Sequence, residues 1–387
     1  FHNGTSGGKF TLNGNNKNGG GKTITIQNSK GIGSGWWGAA ICNHGQLNVT
    51  NCAMLNNEVE GSGGAMYISA GASVIKDCTL TGNKAKTGGG IYCSGGTTTM
   101  LGTMTMTNNS ASTGSDVCLA SNYILTLSSG SESLSTNSNI GIRTSTDPTD
   151  TASIKFATGA TNDMVSCFTP TADSSSYKVV YKDGGLYLFK SYSYLYYKDS
   201  KFYSDDSCSK NTGLTKLSEA VQAISSGGTI YIRSQYAPST DETVNVPAGK
   251  SITVCRSSVF KTASMFKITG VTFTVNATDP SSSITFDGNK SSVTPTSTYD
   301  GGIFHSNDTG STLVLNGASK NGGGKTITLQ NSKVIGSNYW GGAICTHGRA
   351  DITNCAILNN ESEGDGGAIL ISSGTSVIKD CTLTGNK

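Results

Sequence analysis

The residue types that carry most enzyme chemistry are sparse in this sequence. Its four histidines form two recurring pairs, His2 with His305 and His44 with His347, and each histidine follows a predicted strand. A single histidine in such a place is typical of a hydrogen-bonded turn residue. The eleven cysteines lack the Cys-x-x-Cys or Cys/His spacing of a zinc site, and no nucleophile-elbow, phosphate-loop or dinucleotide motif occurs. The sequence therefore predicts no catalytic residue, no cofactor and no metal.

The carboxylates give little sign of an acidic cleft. A polysaccharide lyase or hydrolase needs several carboxylates, or acidic ligands with a basic partner, on one face of the fold. Glu58, Glu60 and Asp77 would approach one another only if neighbouring passages of the chain stacked, and their spacing does not require this. We interpret them as solvated turn carboxylates, and a carbohydrate-active enzyme is the third hypothesis for the function.

Aromatic side chains offer a second kind of chemistry, which is the stacking of a sugar ring. Trp36 and Trp37 are adjacent, and Tyr339 and Trp340 occupy the corresponding place later in the chain. An exposed pair of this kind is a candidate glycan contact. The alternative, which we favour, is an aromatic wedge that packs within a turn.

The composition restricts the fold that must position these residues. Apolar residues make up 35% of the chain and charged residues 14%, with 51 glycines and 6 prolines, which is too apolar for a disordered linker. Short alternating runs indicate strands, so we predict an all-β fold. The net charge of +3 and the lack of long basic runs favour neither nucleic acid nor an anionic membrane as a partner. No apolar run reaches the length of a membrane span.

The chain contains a long tandem repeat. Residues 304–387 repeat residues 1–84 at a constant offset of 303, and 57 of the 84 aligned positions are identical. The sequence therefore starts and stops within a repeat. We expect it to be an excerpt of a longer array of 303-residue units.

A shorter period lies within the long one. Segments that begin Gly63-Gly-Ala-Met, Gly88-Gly-Gly-Ile and Gly114-Ser-Asp-Val follow one another in close succession, and short alternating strands lie between them. Periods of this length are typical of solenoids. Short strands separated by Gly and Asn turns favour a parallel β-helix with coils of about 25 residues, in which apolar side chains face inward.

Stacked coils would place equivalent residues about 4.8 Å apart. Asn57, Asn83 and Asn109 recur at a constant interval, and Asn360 takes the same place in the second copy, so we predict a ladder of side-chain amides. Cysteines would stack for the same reason, either as inward thiols or as a disulfide, and both alternatives stay open. The predicted cysteine stack comprises Cys52, Cys78, Cys355 and Cys381.

These residues resemble a known repeat. Tetrads that end in Asn, such as Met54-Leu-Asn-Asn57 and Ile357-Leu-Asn-Asn360, pair with Gly341-Gly-Ala-Ile344 and Gly366-Gly-Ala-Ile369. This pairing is similar to the repeats of the chlamydial polymorphic outer membrane proteins and, more broadly, to pectate-lyase-like surface adhesins, although Met, Leu or Ile replaces the usual Phe. The resemblance implies a right-handed parallel β-helix that serves in adhesion or surface display and carries no catalytic motif.

Composition also divides the 303-residue unit. An apolar face indicates a helix over residues 214–224, which would cover the first coil of a unit. The predicted divisions are coils at 1–120, terminal coils or a cap at 121–190, an aromatic junction at 191–213, a helix cap with the first coils of the next unit at 214–303, and coils at 304–387 that duplicate 1–84.

Aromatic residues are concentrated at the boundary between units. Ten tyrosines and phenylalanines lie between Tyr177 and Tyr203. They form either a local core that closes one unit, which we favour, or a joint that grips the next unit. The predicted junction contacts are Tyr187, Phe189, Tyr192, Tyr194, Tyr196 and Tyr197.

The favoured function is that of a non-enzymatic structural subunit in a long tandem-repeat fibre or surface filament, extracellular or at the cell surface. Its partners would be neighbouring copies of itself, joined end to end or bundled laterally. A unit would hold at most about 12 coils and advance no more than about 58 Å. The second hypothesis is a surface adhesin or glycan-binding protein with a β-helical stalk, whose partners would be host or environmental glycans.

Overall fold

The computed structural model describes residues 1–18, 21–33, 35–128, 132–171 and 176–387. The chain divides into two compact units, Phe1–Lys190 and Ser191–Lys387. Strands account for 48% of the structure and helices for 3%, so the prediction of an all-β chain is confirmed. Among the described residues, every helix is too short or too polar to cross a bilayer.

The first unit consists of short strands and a 3-10 helix at Asn162–Cys167. Its strands are β1 (His2–Asn3), β2 (Lys9–Asn13), β3 (Ile24–Gln27), β4 (Lys30–Gly31), β5 (Ile41–Asn43), β6 (Gln46–Thr50), β7 (Cys52–Leu55), β8 (Glu58–Val59), β9 (Met66–Ile68), β10 (Ala72–Lys76), β11 (Thr79–Thr81), β12 (Lys84–Thr87), β13 (Ile91–Cys93), β14 (Thr97–Leu101), β15 (Thr105–Thr107), β16 (Ser110–Thr113), β17 (Val117–Leu119), β18 (Leu125–Leu127), β19 (Ile140–Thr144), β20 (Ile154–Thr158), β21 (Phe168–Pro170), β22 (Tyr177–Lys182) and β23 (Gly185–Lys190).

These strands belong to sheets through which the chain passes repeatedly. Sheet 1 has the order β1-β5-β9-β13-β17-β19-β21, and sheet 2 has the order β2-β6-β10-β14-β18-β20-β23-β22. Sheet 3 is β3-β7-β11-β15, and sheet 4 is β4-β8-β12-β16. From β1 to β16 the chain therefore visits one strand of each sheet before it returns to the first sheet, and we call one such passage a rung. From β17 to β21 the strands alternate between sheets 1 and 2.

The period predicted from the sequence is the spacing between paired strands in the middle of this unit. In sheet 1, Ile41 pairs in parallel with Met66, Met66 with Ile91, and Ile91 with Val117, so each rung has nearly the same length as the next. These four side chains are fully buried. Because side chains alternate along a strand, the apolar positions of every rung face one shared core.

The first rung is longer than the predicted coil. His2 pairs with Cys42, and Lys9 pairs with Gln46, so both pairs span much more of the sequence than the pair of Ile41 and Met66. The additional chain lies in the connections at 4–8, 14–23 and 32–40, between strands that remain in register. A uniform coil length was therefore a wrong expectation for this rung, because loops can lengthen while the strand pairing stays the same.

Antiparallel pairing replaces parallel pairing near the end of the first unit. β23 pairs antiparallel with both β20 and β22. Val179, Leu186 and Leu188 on this hairpin are buried in the hydrophobic core of the unit. The hairpin therefore extends sheet 2 by two strands and adds apolar side chains to the core.

The second unit has the same organisation and contains the helix α1 (Leu217–Ala223). Its strands are β24 (Tyr192–Lys198), β25 (Lys201–Tyr203), β26 (Ile224–Ile232), β27 (Glu242–Asn245), β28 (Ser251–Arg256), β29 (Phe266–Ile268), β30 (Thr272–Ala277), β31 (Ser283–Asp287), β32 (Phe304–Ser306), β33 (Thr312–Gly317), β34 (Ile327–Gln330), β35 (Lys333–Val334), β36 (Ile344–Thr346), β37 (Arg349–Thr353), β38 (Cys355–Leu358), β39 (Glu361–Ser362), β40 (Ile369–Ile371), β41 (Val377–Lys379) and β42 (Thr382–Thr384).

Sheets of the second unit repeat the order found in the first. Sheet 5 is β25-β24-β26-β28-β31-β34-β38-β42, sheet 6 is β27-β30-β33-β37-β41, sheet 7 is β29-β32-β36-β40, and sheet 8 is β35-β39. β32 to β39 follow β1 to β8 at the offset of the long repeat, and their pairs match: His305 pairs with Cys345 as His2 pairs with Cys42. The two copies therefore fold alike locally.

The helix is shorter than the predicted 214–224 and is held at both ends by buried charged residues. The Glu219 carboxylate accepts hydrogen bonds from the backbone N–H groups of Thr215 and Lys216, which places those residues before the first turn. Lys250 donates from Nζ to the carbonyls of Val221 and Gln222 at 2.6 and 3.0 Å. An ammonium group at the C-terminal carbonyls satisfies acceptors that a helix leaves unpaired.

Candidate functional site

A column of asparagine amides runs through the interior between sheets 3 and 4. Asn57 Nδ2 donates to Asn83 Oδ1, and Asn83 Nδ2 donates to Asn109 Oδ1, both at 2.9 Å. The same Oδ1 atoms also accept the backbone N–H of the preceding asparagine, and each Nδ2 donates to a carbonyl of the preceding rung. In the second unit, Asn360 Nδ2 donates to Asn386 Oδ1 at 3.0 Å. These amides couple neighbouring rungs where the backbone turns.

A column of sulfur and apolar side chains lies on sheet 3. Cys52 pairs with Ile24 on the preceding rung, and Cys78 directly precedes β11 on the following rung. Cys52 and Cys78 are buried and carry free thiols, as do all eleven cysteines of the chain. Each thiol donates to the carbonyl two residues earlier, at 3.2 Å. Cys355 and Cys381 make the corresponding bonds.

We predict that Cys78 resists thiol reagents until the first unit unfolds. Burial raises the pKa of this thiol to about 12, and the thiolate is the nucleophile. With a thiolate fraction lower by three orders of magnitude, alkylation at pH 8 should be at least about 1000-fold slower than for an ordinary cysteine. Mass spectrometry after timed iodoacetamide labelling measures this rate, with the half-buried Cys208 as the internal control. Equal labelling rates in the folded protein would contradict the prediction, and a Cys52–Cys78 bridge would favour the disulfide alternative.

Exposed aromatic side chains form a second column on the outer face of sheet 1. The rings of Trp37 and Tyr67 stack with centroids 5.3 Å apart, and those of Tyr67 and Tyr92 stack at 5.8 Å. Trp36 and Trp37 are 66% and 46% exposed, so neither is a buried wedge. Trp36 and Trp37 also line a cavity with Lys30, His2 of β1 and Cys42 of β5. Tyr67 and Tyr92 are half-buried, so the flat, exposed surface that sugar stacking requires is that of the two indoles.

The second copy has a reduced form of this aromatic face. Tyr339 and Trp340 stand in place of Trp36 and Trp37, but Leu370 replaces Tyr67. Tyr339 and Trp340 are half-buried, and the backbone N–H of Trp340 donates to Asp300 at 2.9 Å. A continuous column of stacked rings is therefore a feature of the first copy.

The predicted junction residues lie on two different strands. Tyr187 and Phe189 are on β23 of the first unit, where Phe189 is buried and the two rings lie 6.4 Å apart. Tyr192 and Tyr197 are on β24 of the second unit, and both are buried. Tyr197 packs against Phe202 at 5.1 Å. Tyr197 also packs against Tyr236 at 4.8 Å, so it lies among the aromatic side chains of the second unit, and the role of the junction stays a prediction.

Two other junction tyrosines lie at the surface of the second unit. Tyr196 stacks on Tyr231 with centroids 5.2 Å apart, and Tyr194 stacks on the same ring at 6.3 Å. Tyr194 is 54% exposed. This surface is the part of the predicted junction that is available for contact with another molecule or unit.

The acidic residues considered from the sequence bind separate partners. Glu60 accepts the N–H of Gly33 at 2.7 Å, and Asp77 accepts the N–H of Thr103 at 2.8 Å. Glu58 lies 3.7 Å from Lys84 in an exposed ion pair. Two of the three carboxylates therefore order loops, and the third makes a surface pair, so none is positioned as a paired acid and base.

The structure brings together histidines and cysteines that the sequence interpretation kept apart. A four-residue cluster comprises Asp300, His305, Cys345 and His347, and a three-residue cluster comprises His2, Cys42 and His44. In each cluster the possible ligand atoms lie within 4.8 Å of one another. In each copy the sequence contains a Cys-x-His motif, and a further histidine lies one rung earlier in the chain. The sequence alone does not show that these residues meet, because the length of that rung is known only from the strand pairing.

No known protein family, curated protein or solved structure matches this chain. The function must therefore be argued from the residues and their geometry.

Proposed function

We propose that this chain is part of a non-enzymatic structural protein, a long extracellular or cell-surface filament built from 303-residue units. Each unit would be a right-handed parallel β-helix, and its partners would be neighbouring units of the same kind. The proposed likeness to the chlamydial polymorphic outer membrane proteins and other β-helical adhesins belongs to the same proposal, since the last Asn of the Met54-Leu-Asn-Asn57 tetrad lies in the buried amide column.

The observation that carries this proposal is the stacking of rungs through backbone pairing and through the interior columns. Parallel strands repeat at the short period across sheets 1, 2, 3 and 4. Amides of successive rungs bond to one another inside the stack. Such contacts join each rung to its neighbours, which supports a repetitive scaffold.

Differences between the two copies also support a structural role. Val49 and Met54 are fully buried, and isoleucine stands at the corresponding places in the second copy, so the core volume is nearly unchanged. Gln46 is exposed, and Arg349 replaces it. Tyr67 of the aromatic column becomes Leu370. Most buried positions of the first copy keep their residue in the second, although Ala350 stands in place of Leu47 and Ser362 in place of Val59.

Electron microscopy of native material tests the filament proposal directly. Fibres labelled with an antibody against this chain should have an axial repeat below about 58 Å, because several rungs are longer than the predicted coil and each rung advances about 4.8 Å. Labelled particles that are isolated rods without periodic contacts would contradict the proposal.

The exposed tyrosines provide a variant for the same assay. Replacement of Tyr194 and Tyr196 by serine should shorten the assemblies, because it removes the stacked rings that project beside Tyr231. Tyr92→Ser, on the outer face of the first unit, is the matched control and should leave the length unchanged. Equal fibre lengths in all three proteins would exclude Tyr194 and Tyr196 as contact residues.

A second candidate function is the binding of glycans, favoured by the stacked column of Trp37, Tyr67 and Tyr92. Tyr67 lies between the other two rings, so the exposed indole of Trp37 at the end of the column is the surface offered to the apolar side of a sugar. A glycan array should then give signals that Trp37→Ala removes and that Trp340→Ala, where Leu370 interrupts the column, leaves intact. Equal signals from the wild-type chain and Trp37→Ala would contradict glycan binding at this face.

A further inference from the structure

The four-residue cluster is assembled by two neighbouring strands of sheet 7. His305 on β32 pairs directly with Cys345 on β36. Phe304 and Ile344, the residues before them, are fully buried in the core, so His305 and Cys345 project from the opposite face of the sheet. His347 is two residues beyond Cys345 and follows the same face. Asp300 reaches the cluster from the loop that precedes β32.

The four side chains and their spacing suit a tetrahedral metal ion. Two imidazoles, a thiolate and a carboxylate are all ordinary ligands of Zn²⁺. Bonds of the usual length would separate the ligand atoms of a tetrahedral site by about 3.3–3.8 Å. The four atoms lie within 4.8 Å of one another, so inward side-chain movements of about 1 Å would complete the coordination shell.

Surrounding hydrogen bonds orient these ligands. Ser372 Oγ lies 2.6 Å from His347 Nδ1, which leaves Nε2 as the nitrogen that faces the cluster. Ser69 Oγ lies 2.5 Å from His44 Nδ1 in the same way, and His44 Nε2 is 3.3 Å from Cys42 Sγ. A hydrogen bond to the second ring nitrogen is what fixes a metal-ligating histidine in most metal sites.

The four-residue cluster also contains a polar atom that lacks a use within the protein. Nε2 of His305 is buried and has no hydrogen-bond partner among the described residues. A buried polar atom without a partner destabilises a fold by roughly 1–3 kcal/mol. A metal ion bound at Nε2 would satisfy it.

A cysteine nucleophile activated by histidine is the competing interpretation of this arrangement. Cys345 has no exposed surface. A substrate could not reach the sulfur. A nucleophilic role is therefore incompatible with this environment, whereas a metal ion can displace the proton as it binds.

The cluster recurs in the other copy, although the outer face around it has changed. His2, Cys42, His44 and the supporting Ser69 are identical to their counterparts in the long repeat. Neighbouring positions differ: Trp36 corresponds to Tyr339, Asn43 to Thr346, and Tyr67 to Leu370. Asp300 has no counterpart among residues 1–84. The His, Cys and Ser residues are identical in both copies although positions around them differ. This indicates that both copies need these residues for the same purpose.

We propose that the four-residue cluster is a Zn²⁺ site and that the three-residue cluster contains three ligands of the same site in the other copy. Each site links two neighbouring rungs, because one histidine comes from β1 or β32 and the Cys-x-His pair from β5 or β36. The site would therefore occur once in every repeat unit and clamp two rungs that are joined by long connections.

Metal titration of the whole chain tests this proposal without reference to filament formation. The chain is purified without a polyhistidine tag, stripped with a chelator under reducing conditions, and titrated with Co²⁺ and then with Zn²⁺. Tetrahedral cobalt absorbs strongly in the visible range, and a thiolate ligand adds a charge-transfer band in the near ultraviolet. We expect one tight equivalent with both features and a second, weaker equivalent, each displaced by Zn²⁺.

Single substitutions show which cluster binds each equivalent of metal. Cys345→Ser should remove the charge-transfer band of the tight equivalent, and Cys42→Ser that of the weaker one. Cys208→Ser, a half-buried cysteine outside both clusters, should change neither. Ser372→Ala should keep the spectrum but weaken Zn²⁺ binding by about 10–100-fold, because it removes only the orienting hydrogen bond. Circular dichroism confirms that each variant is folded.

Two outcomes would overturn the proposal. One is a folded wild-type chain that gives no thiolate-to-cobalt band. The other is a band that persists in the folded Cys42→Ser/Cys345→Ser double variant, since the metal would then be held by other cysteines. Filament formation is measured separately, so a failure of either proposal leaves a distinct result for the other.

Discussion

Replacement of Asn83 by alanine is expected to destabilise the first unit by about 3–5 kcal/mol. Asn83 has no exposed surface. Its Oδ1 accepts the backbone N–H and the side-chain N–H of Asn57, and its Nδ2 donates to the Met54 carbonyl and to Asn109. Alanine would leave three of these groups without partners where water cannot reach them. Urea unfolding, followed by tryptophan fluorescence, measures the loss.

An exposed asparagine of the first unit supplies the control. Asn48 lies on β6, and its exposed side chain accepts a hydrogen bond from Thr50 Oγ1 at 3.3 Å. Water can replace this bond, so Asn48→Ala should cost no more than about 1 kcal/mol. If the two variants lose equal stability, burial of the amide column is not what makes Asn83 important.

Gly71→Ala is expected to destabilise the first unit by about 3–5 kcal/mol. Gly71 has a φ of +70°, and an added Cβ would lie 2.0 Å from the carbonyl oxygen and 2.3 Å from the carbonyl carbon of Gly45. The positive φ disfavours any L-residue, and the clash is with the backbone of the preceding rung, which can yield only by separating the rungs. Urea unfolding measures the loss, and hydrogen exchange should rise locally in β6 and β10.

Gly184 distinguishes the cost of the positive φ from the cost of the clash with the Gly45 backbone. It has the same φ of +70°, but a Cβ there would have nothing within 4 Å. Gly184→Ala should therefore cost only the backbone term of about 1–2 kcal/mol. The difference between the two variants gives the energy of the close approach between rungs, and a difference near zero would contradict our account of the packing at Gly71.

Features of the fold that depend on the short period could be predicted from the sequence. The closely spaced Gly-Gly-x-x recurrences predicted parallel stacking, and the spacing of Asn57, Asn83 and Asn109 predicted the amide column. Both could be predicted because strands of constant length keep equivalent residues in register. The apolar face near Leu217 likewise indicated the helix.

Features that depend on long connections were not predictable in the same way. His305 and Cys345 are far apart in the sequence, and only the actual pairing of β32 with β36 brings them together. The sequence between residues 121 and 176 is rich in Ser and Thr, yet it contains β18, β19 and β20 with Phe156 fully buried. There, tertiary packing overrides weak local propensity. The exposure of Trp36 and Trp37 depends in the same way on how their loop lies against sheet 1.

Because the rungs differ in length, the number of residues in a rung does not determine the distance between its strands and those of the next rung. Ile284 pairs with Ile327 across a long stretch of chain, whereas Ile327 pairs with Cys355 across a much shorter one. Both steps cross the same gap between paired strands. Chain added at the Ser319–Lys325 hairpin would therefore widen the molecule at one level without shifting the levels above it. Such hairpins are suitable places for inserting foreign peptides, which would be displayed at fixed heights along a stack whose spacing they do not change.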